Sequence, residues 1–166
     1  MNVYSDYFDN YTKLTVGTTA LQALVDSTDR CHAILGSITE DQGALQYAPG
    51  KWTIKEVIGH INDTERIMSY RALRFARHDA TELAGYDENN YARYSEANDR
   101  TVADLVDEFE TLRKATLVLY RSFSEDTLQC VGSANGMQIN VDRLGYVLAG
   151  HSLHQADIIQ SRYLTA

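Results

Sequence analysis

Apolar residues recur at helical spacing in four long segments of this chain, and polar stretches separate them. In the first segment, 15–36, Leu21, Leu24, Val25, Thr28, Cys31, His32 and Leu35 share one face, and Gly36 closes it. The second begins at Ile54, behind Thr53-Ile54-Lys55-Glu56, a capping-box pattern whose side chains satisfy the free amides of a helix start. Its stripe is Ile54, Val57, Ile58, Ile61, Met68, Ala72 and Phe75, running to Ala76. The third opens at Thr101 and turns Val102, Leu105, Val106, Phe109, Leu112, Thr116, Leu119, Tyr120 and Phe123 to one side. That stripe shows no inward titratable group and reads as scaffold. The fourth covers 140–164, with Asn140 as N-cap and Val141, Leu144, Leu148, Ile158 and Ile159 as its apolar face. Four amphipathic helices joined by one long middle connection predict an all-α, four-helix-bundle domain over residues 1–166.

The segments between the stripes are less regular. Residues 1–12 are tyrosine-rich and patternless, a lead-in that packs late. The long polar segment 79–100 carries Tyr86, Asp87, Asn90 and Tyr91, which either reach over the end of the bundle or form plain surface. Residues 128–139, with Gly132, Asn135 and Gly136, read as a loop with some extended or hairpin character.

Composition narrows the functional classes. A net charge of −8 and a pI near 5.0 oppose nucleic acid, which needs a basic footprint. The nearest candidate for one, Arg71, Arg74 and Arg77, reads as a solvated helix face among acidic neighbours. Cys31 and Cys130 have neither metal-ligand nor redox spacing and fit a reducing interior. Residues 1–12 lack the pattern of a signal peptide, and no apolar run approaches the roughly 20 residues of a membrane helix. The expectation is a soluble, cytoplasmic protein with no nucleic-acid or membrane partner.

The candidate chemistry lies in polar residues that the periodicity turns inward. His151 and Gln155 fall within the fourth stripe, and His154 falls roughly 60–100° away, at its edge. His60 borders the second stripe with Ile67 and Arg71, and Glu65 lies inside it. Glu65 is either paired with an internal arginine such as Arg71 or a site residue, orienting a ligand or acting as a base. His60, His151 and His154 are enough imidazoles for a divalent metal with one open position, although the same-face i, i+4 pair is His151 with Gln155. His32 reads as a core histidine satisfied by a hydroxyl or carbonyl. No phosphate loop, nucleophile elbow or dinucleotide fingerprint is present. A Cys–His nucleophile needs a cysteine against a histidine, and the neighbours Cys31 and His32 point about 100° apart on a helix.

Three motifs carry a family resemblance. Lys51-Trp52-Thr53-Ile54-Lys55-Glu56-Val57-Ile58-Gly59-His60-Ile61, with Glu65-Arg66 and Tyr70-Arg71-Ala72-Leu73, resembles the second-helix signature of the DinB/YfiT-like superfamily. Gly85-Tyr86-Asp87-Glu88-Asn89 resembles its middle loop, and Ala149-Gly150-His151-Ser152-Leu153-His154-Gln155 its fourth-helix motif. The resemblance runs from about Trp52 to Tyr163 in the family's order. It implies an up-up-down-down type bundle, a homodimer, and a divalent transition metal, zinc or nickel. It also implies metal-dependent hydrolysis, or transfer to a low-molecular-weight thiol, on a small-molecule substrate. Carried over by position, the ligands are His60, His151 and residue 155, where this chain has Gln in place of the family's histidine. Three outcomes stay open: a metal held by His60 and His151 with Gln155 or water, His154 turning in, or a metal-free polar pocket. The last would make the chain a binding or stress-response module, or a structural dimer.

Overall fold

The computed structural model describes residues 10–15 and 19–165; the reading of residues 1–9 as a lead-in lies outside the described residues. Four long helices dominate, α1 (Ala20–Leu35), α2 (Ile54–Ala76), α4 (Val102–Arg121) and α6 (Val141–Ile158). Two short ones accompany them, α3 (Glu88–Tyr94) and α5 (Glu125–Leu128), with a two-stranded hairpin, β1 (Val131–Ala134) and β2 (Met137–Asn140). The segment Ile159–Tyr163 continues α6 as a π-helical turn.

The caps form where the side chains permit. Thr53 Oγ1 accepts from the Glu56 amide at 3.1 Å and the Glu56 carboxylate accepts from the Thr53 amide at 2.7 Å, completing the capping box of α2. Asn140 Oδ1 accepts from the Arg143 amide at 2.8 Å at the start of α6. The first helix begins at Ala20 rather than at 15, because Thr19 takes the N-cap role. The segment 79–100 contains α3, capped by Asp87, so it is only partly a loop. In the hairpin, Asn135 and Gly136 adopt φ of +53° and +71°, the left-handed pair of a two-residue turn matched to strand twist.

The helices form a ring in which α1 packs on α6 and α4, and α2 packs on α6 and α4, so α1 lies diagonal to α2. Ala20 sits beside Gly145 and Arg30 beside Asp157, so α1 and α6 run in the same direction. Asn62 bonds Leu105 and Arg66 bonds Glu108, so α2 and α4 run together, opposite to the first pair. In chain order the course is up, down, down, up, which corrects the expected up-up-down-down arrangement. The long α2–α4 connection follows from this, because parallel neighbours require the chain to travel the length of the bundle before starting again.

Two apolar clusters fill the interior. One joins Cys31, Leu35, Ile54, Val57, Ile58, Ile61, Phe109 and Leu153, and the other joins Leu24, Met68, Ala72, Phe75, Tyr120, Leu144 and Leu148. Between them, each long helix contributes a polar side chain at the same level: Ser27 from α1, Glu65 from α2, Arg113 from α4 and Ser152 from α6. Arg113 is fully buried. It donates from Nε and Nη2 to the two Glu65 oxygens at 2.9 and 3.0 Å, from Nη2 to Ser152 at 3.0 Å, and from Nη1 to Ser27 at 2.7 Å and the Leu24 carbonyl at 3.2 Å. The reading of the third helix as free of inward titratable groups is therefore corrected. Arg113 occupies the position four after Phe109 on the inward row, and its charge is tolerated there because all its donor directions are met.

Candidate functional site

His60 on α2 and His151 on α6 meet where these antiparallel helices face each other, both buried. Their Nε2 atoms lie 3.0 Å apart, with ring planes inclined at 69°. Trp52 covers the His60 ring at 4.9 Å, and Tyr11 stands edge-on to His151 at 5.5 Å. Gly150 makes room for that approach: a Cβ there would lie 2.1 Å from the Tyr11 carbonyl oxygen.

Burial lowers both imidazole pKa values. Loss of hydration brings His60 from 6.5 to about 4. It also takes His151 well below its ordinary value, with His60, His154 and Arg113 adding to the effect. Both rings are thus neutral at neutral pH, one donating an Nε2–H to the other. Neutral imidazole is also the metal-ligating form. The linkage sign follows directly. The folded state refuses a proton that the unfolded state takes up below pH 6.5, so stability falls as pH drops from 6.5 toward about 4. Metal-free protein is expected to lose up to roughly 1.4 kcal/mol per pH unit for each histidine in this window. Urea titrations at stepped pH check this, and a His60→Gln variant should show a shallower slope; equal slopes would exclude the buried neutral pair.

The other sequence candidates divide. Gln155 is half-buried one turn beyond His151, whereas His154 is exposed, its ring against Tyr11 at 5.7 Å. Glu65 has both oxygens held by Arg113, so its partner is Arg113 and not Arg71. His32 is no core residue: it is exposed and bonds Glu110 at 2.6 Å, which corrects that expectation. Tyr86 reaches α2, sharing a hydrogen bond with Thr64 at 3.0 Å, while the Tyr91 ring packs tilted against Tyr86 at 5.0 Å. The sulfur of Cys130 lies 3.8 Å from His78 Nδ1, a Cys–His neighbourhood that spacing did not reveal because the hairpin creates it.

The donor set can be tested against the metal that the resemblance implies. Two ring nitrogens bound to one tetrahedral ion at zinc–nitrogen distances stand about 3.3 Å apart, close to the separation seen here. Among the described residues no group of three His, Cys, Asp or Glu converges. His60 Nδ1 is buried without a partner among the described residues, which supply no group to orient a ligand histidine there. The two imidazoles are spaced for a shared ion, and among the described residues no third His, Cys, Asp or Glu completes the set.

The family model of the DinB superfamily matches residues 23–159. The chain belongs to the DinB superfamily. Among solved structures, this DinB-like bundle is similar to YfiT from Bacillus subtilis, a probable metal-dependent hydrolase with an unusual four-helix bundle topology. The TM-score is 0.75 at 16% identity, covering 88% of this chain and 85% of that one, a likeness of fold. No curated protein sequence matches the chain. No helix among the described residues of this DinB-superfamily chain is long and apolar enough to cross a membrane.

Proposed function

We propose that this chain is a DinB-like enzyme acting on a small molecule, a metal-dependent hydrolase or a transferase using a low-molecular-weight thiol. The observation that carries this reading is the convergence of two buried, neutral imidazoles, His60 and His151, on one point between α2 and α6. Zinc or nickel would be held by these two rings, with the Gln155 amide oxygen as third donor, and bound there it would lower the pKa of a water or thiol toward neutrality. Trp52 and Tyr11 wall the rings and limit water access. Glu65 acts as a positioning group: through Arg113 it holds Ser152, the residue after His151, and so sets the rotation of α6. A homodimer in the cytoplasm completes the reading.

A second reading is favoured by the direct contact between the rings. Two neutral imidazoles joined at 3.0 Å satisfy each other without a metal, which suits a non-catalytic binding module. Elemental analysis of tag-free protein beside His60→Ala and His151→Ala separates the two. Near one metal per chain, lost in both variants, is the result expected of the metalloenzyme. No metal in the parent after incubation with zinc or nickel would sink it. Ligand-induced thermal stabilisation in the presence of chelator would then support the binding module.

A further inference from the structure

Arg71 is 6% exposed, although its neighbours Arg74 and Arg77 read with it as a solvated face. It lies eleven residues beyond His60 on α2, hence on nearly the same flank and about 16 Å along the axis. Its guanidinium donates to the Ala84 carbonyl at 2.9 Å and touches the Met68 thioether at 3.5 Å. Among the described residues two of its five N–H donors find partners, one of them weakly. Among the described residues no carboxylate comes within ion-pair distance. Arg74 holds Asp79, and Glu82 accepts from the Gly136 amide at 2.8 Å and from the Ser133 hydroxyl. Arg113 shows what this fold does with a buried arginine that must be satisfied internally. Among the described residues Arg71 has no such bonded carboxylate, only the longer-range attraction of Glu82, and it lines a cavity of about 460 Å³.

The cavity is preformed. It lies beneath the 79–100 segment, between Met68 and Arg71 of α2, Tyr86 and Gly85 of the loop, and Asn135 and Met137 of the hairpin. The Tyr86 hydroxyl is bonded to Thr64. Leu83 is laced to the hairpin by its amide to the Ser133 carbonyl at 3.0 Å and its carbonyl to the Asn135 amide at 2.9 Å. Gly85 lies so close to Asn135 that a Cβ would stand 2.3 Å from the amide oxygen. Among the described residues the lining is therefore one cation with spare donors, two methionine side chains, an aromatic ring and the Asn135 amide. Glu88, exposed, is the acidic residue that lines the cavity.

We infer that this cavity binds a small organic anion, a carboxylate or phosphate ester carrying an apolar group, with Arg71 clamping the oxygens and Met68, Met137 and Tyr86 taking the apolar part. A planar fork of donors matches either anion in a two-point bond, and a buried cation that feels the Glu82 carboxylate only at a distance gains from a directly bonded anion. Methionines adapt to apolar groups of varied shape. The site is separate from the histidine pair, so it stands whether or not a metal binds there.

The test uses the full chain with chelator present, so that no anion is read through a metal. Benzoate and phenyl phosphate are titrated by calorimetry and thermal shift, with benzamide as neutral isostere and inorganic phosphate as the anion without an apolar part. Binding of benzoate or phenyl phosphate at a Kd of about 1 mM or tighter, with benzamide at least about tenfold weaker, is expected. The stronger of the two anions names the natural head group, and inorganic phosphate should bind more weakly than phenyl phosphate. Arg71→Gln should weaken binding at least about tenfold, Met137→Trp should abolish it by filling the space, and His60→Ala should leave it unchanged. Should Arg71→Gln not fold, Met137→Trp and the benzoate–benzamide contrast decide. Equal affinity for benzamide, no binding of either anion in this range, or full retention in Met137→Trp overturns the proposal.

Discussion

Arg113→Met is expected to destabilise the protein by about 3–5 kcal/mol, because it leaves the Glu65 carboxylate buried and unpaired between two apolar clusters. At roughly 2–4 °C per kcal/mol for a chain of this size, the melting temperature should fall by about 6–20 °C. The same substitution also strips Ser27 and Ser152 of their donor. The double variant Glu65→Leu with Arg113→Met should recover much of the loss, since apolar replacement of both members of a buried pair is often neutral. Urea unfolding of the two single variants and the double measures the coupling. A cost below about 1 kcal/mol for Arg113→Met would mean that the four-helix cross-brace contributes no more than an exposed pair.

Gln155→His should raise affinity for zinc or nickel by more than the roughly 10–100-fold that loss of outer-shell partners typically costs, because it supplies a third imidazole directly. Residues 151 and 155 are four apart on α6, so the new ring lies one turn along the same face as His151. Competition against a chromophoric chelator reads the change, with His154→Ala as the control that should leave affinity unaltered. An unaltered affinity in Gln155→His would show that α6 does not present position 155 to the histidine pair. A loss in His154→Ala would instead make His154 the third ligand, by rotation of the helix end.

Much of the site was legible in advance where one helix face decides it. His60, His151 and Glu65 were read as inward or bordering, and all three are buried. Gln155 was chosen over His154 as the more inward residue, and the half-buried amide beside an exposed ring agrees. Arg113 was missed because arginine is so commonly exposed that its place on the inward row carried no weight. Arg71 was read from its charged neighbours, whereas its burial comes from the 79–100 segment folding back over α2. His32 failed in the opposite sense: it shares the helix face by angle, but α1 ends just beyond it and its ring escapes to Glu110.

The residue pattern by itself determined the four long helices, their caps, the hairpin tendency near Asn135-Gly136 and which faces seek the interior. Those features depend on interactions within a few residues, which spacing and side-chain chemistry encode locally. The tertiary structure alone decided the up, down, down, up course, the partnership of Glu65 with Arg113, and the 3.0 Å meeting of His60 with His151. It also formed the cavity beside Arg71. Each of these joins side chains 48 to 91 positions apart or surfaces from separate elements. Their geometry depends on how helices dock, a property of the whole packed bundle that local periodicity does not contain.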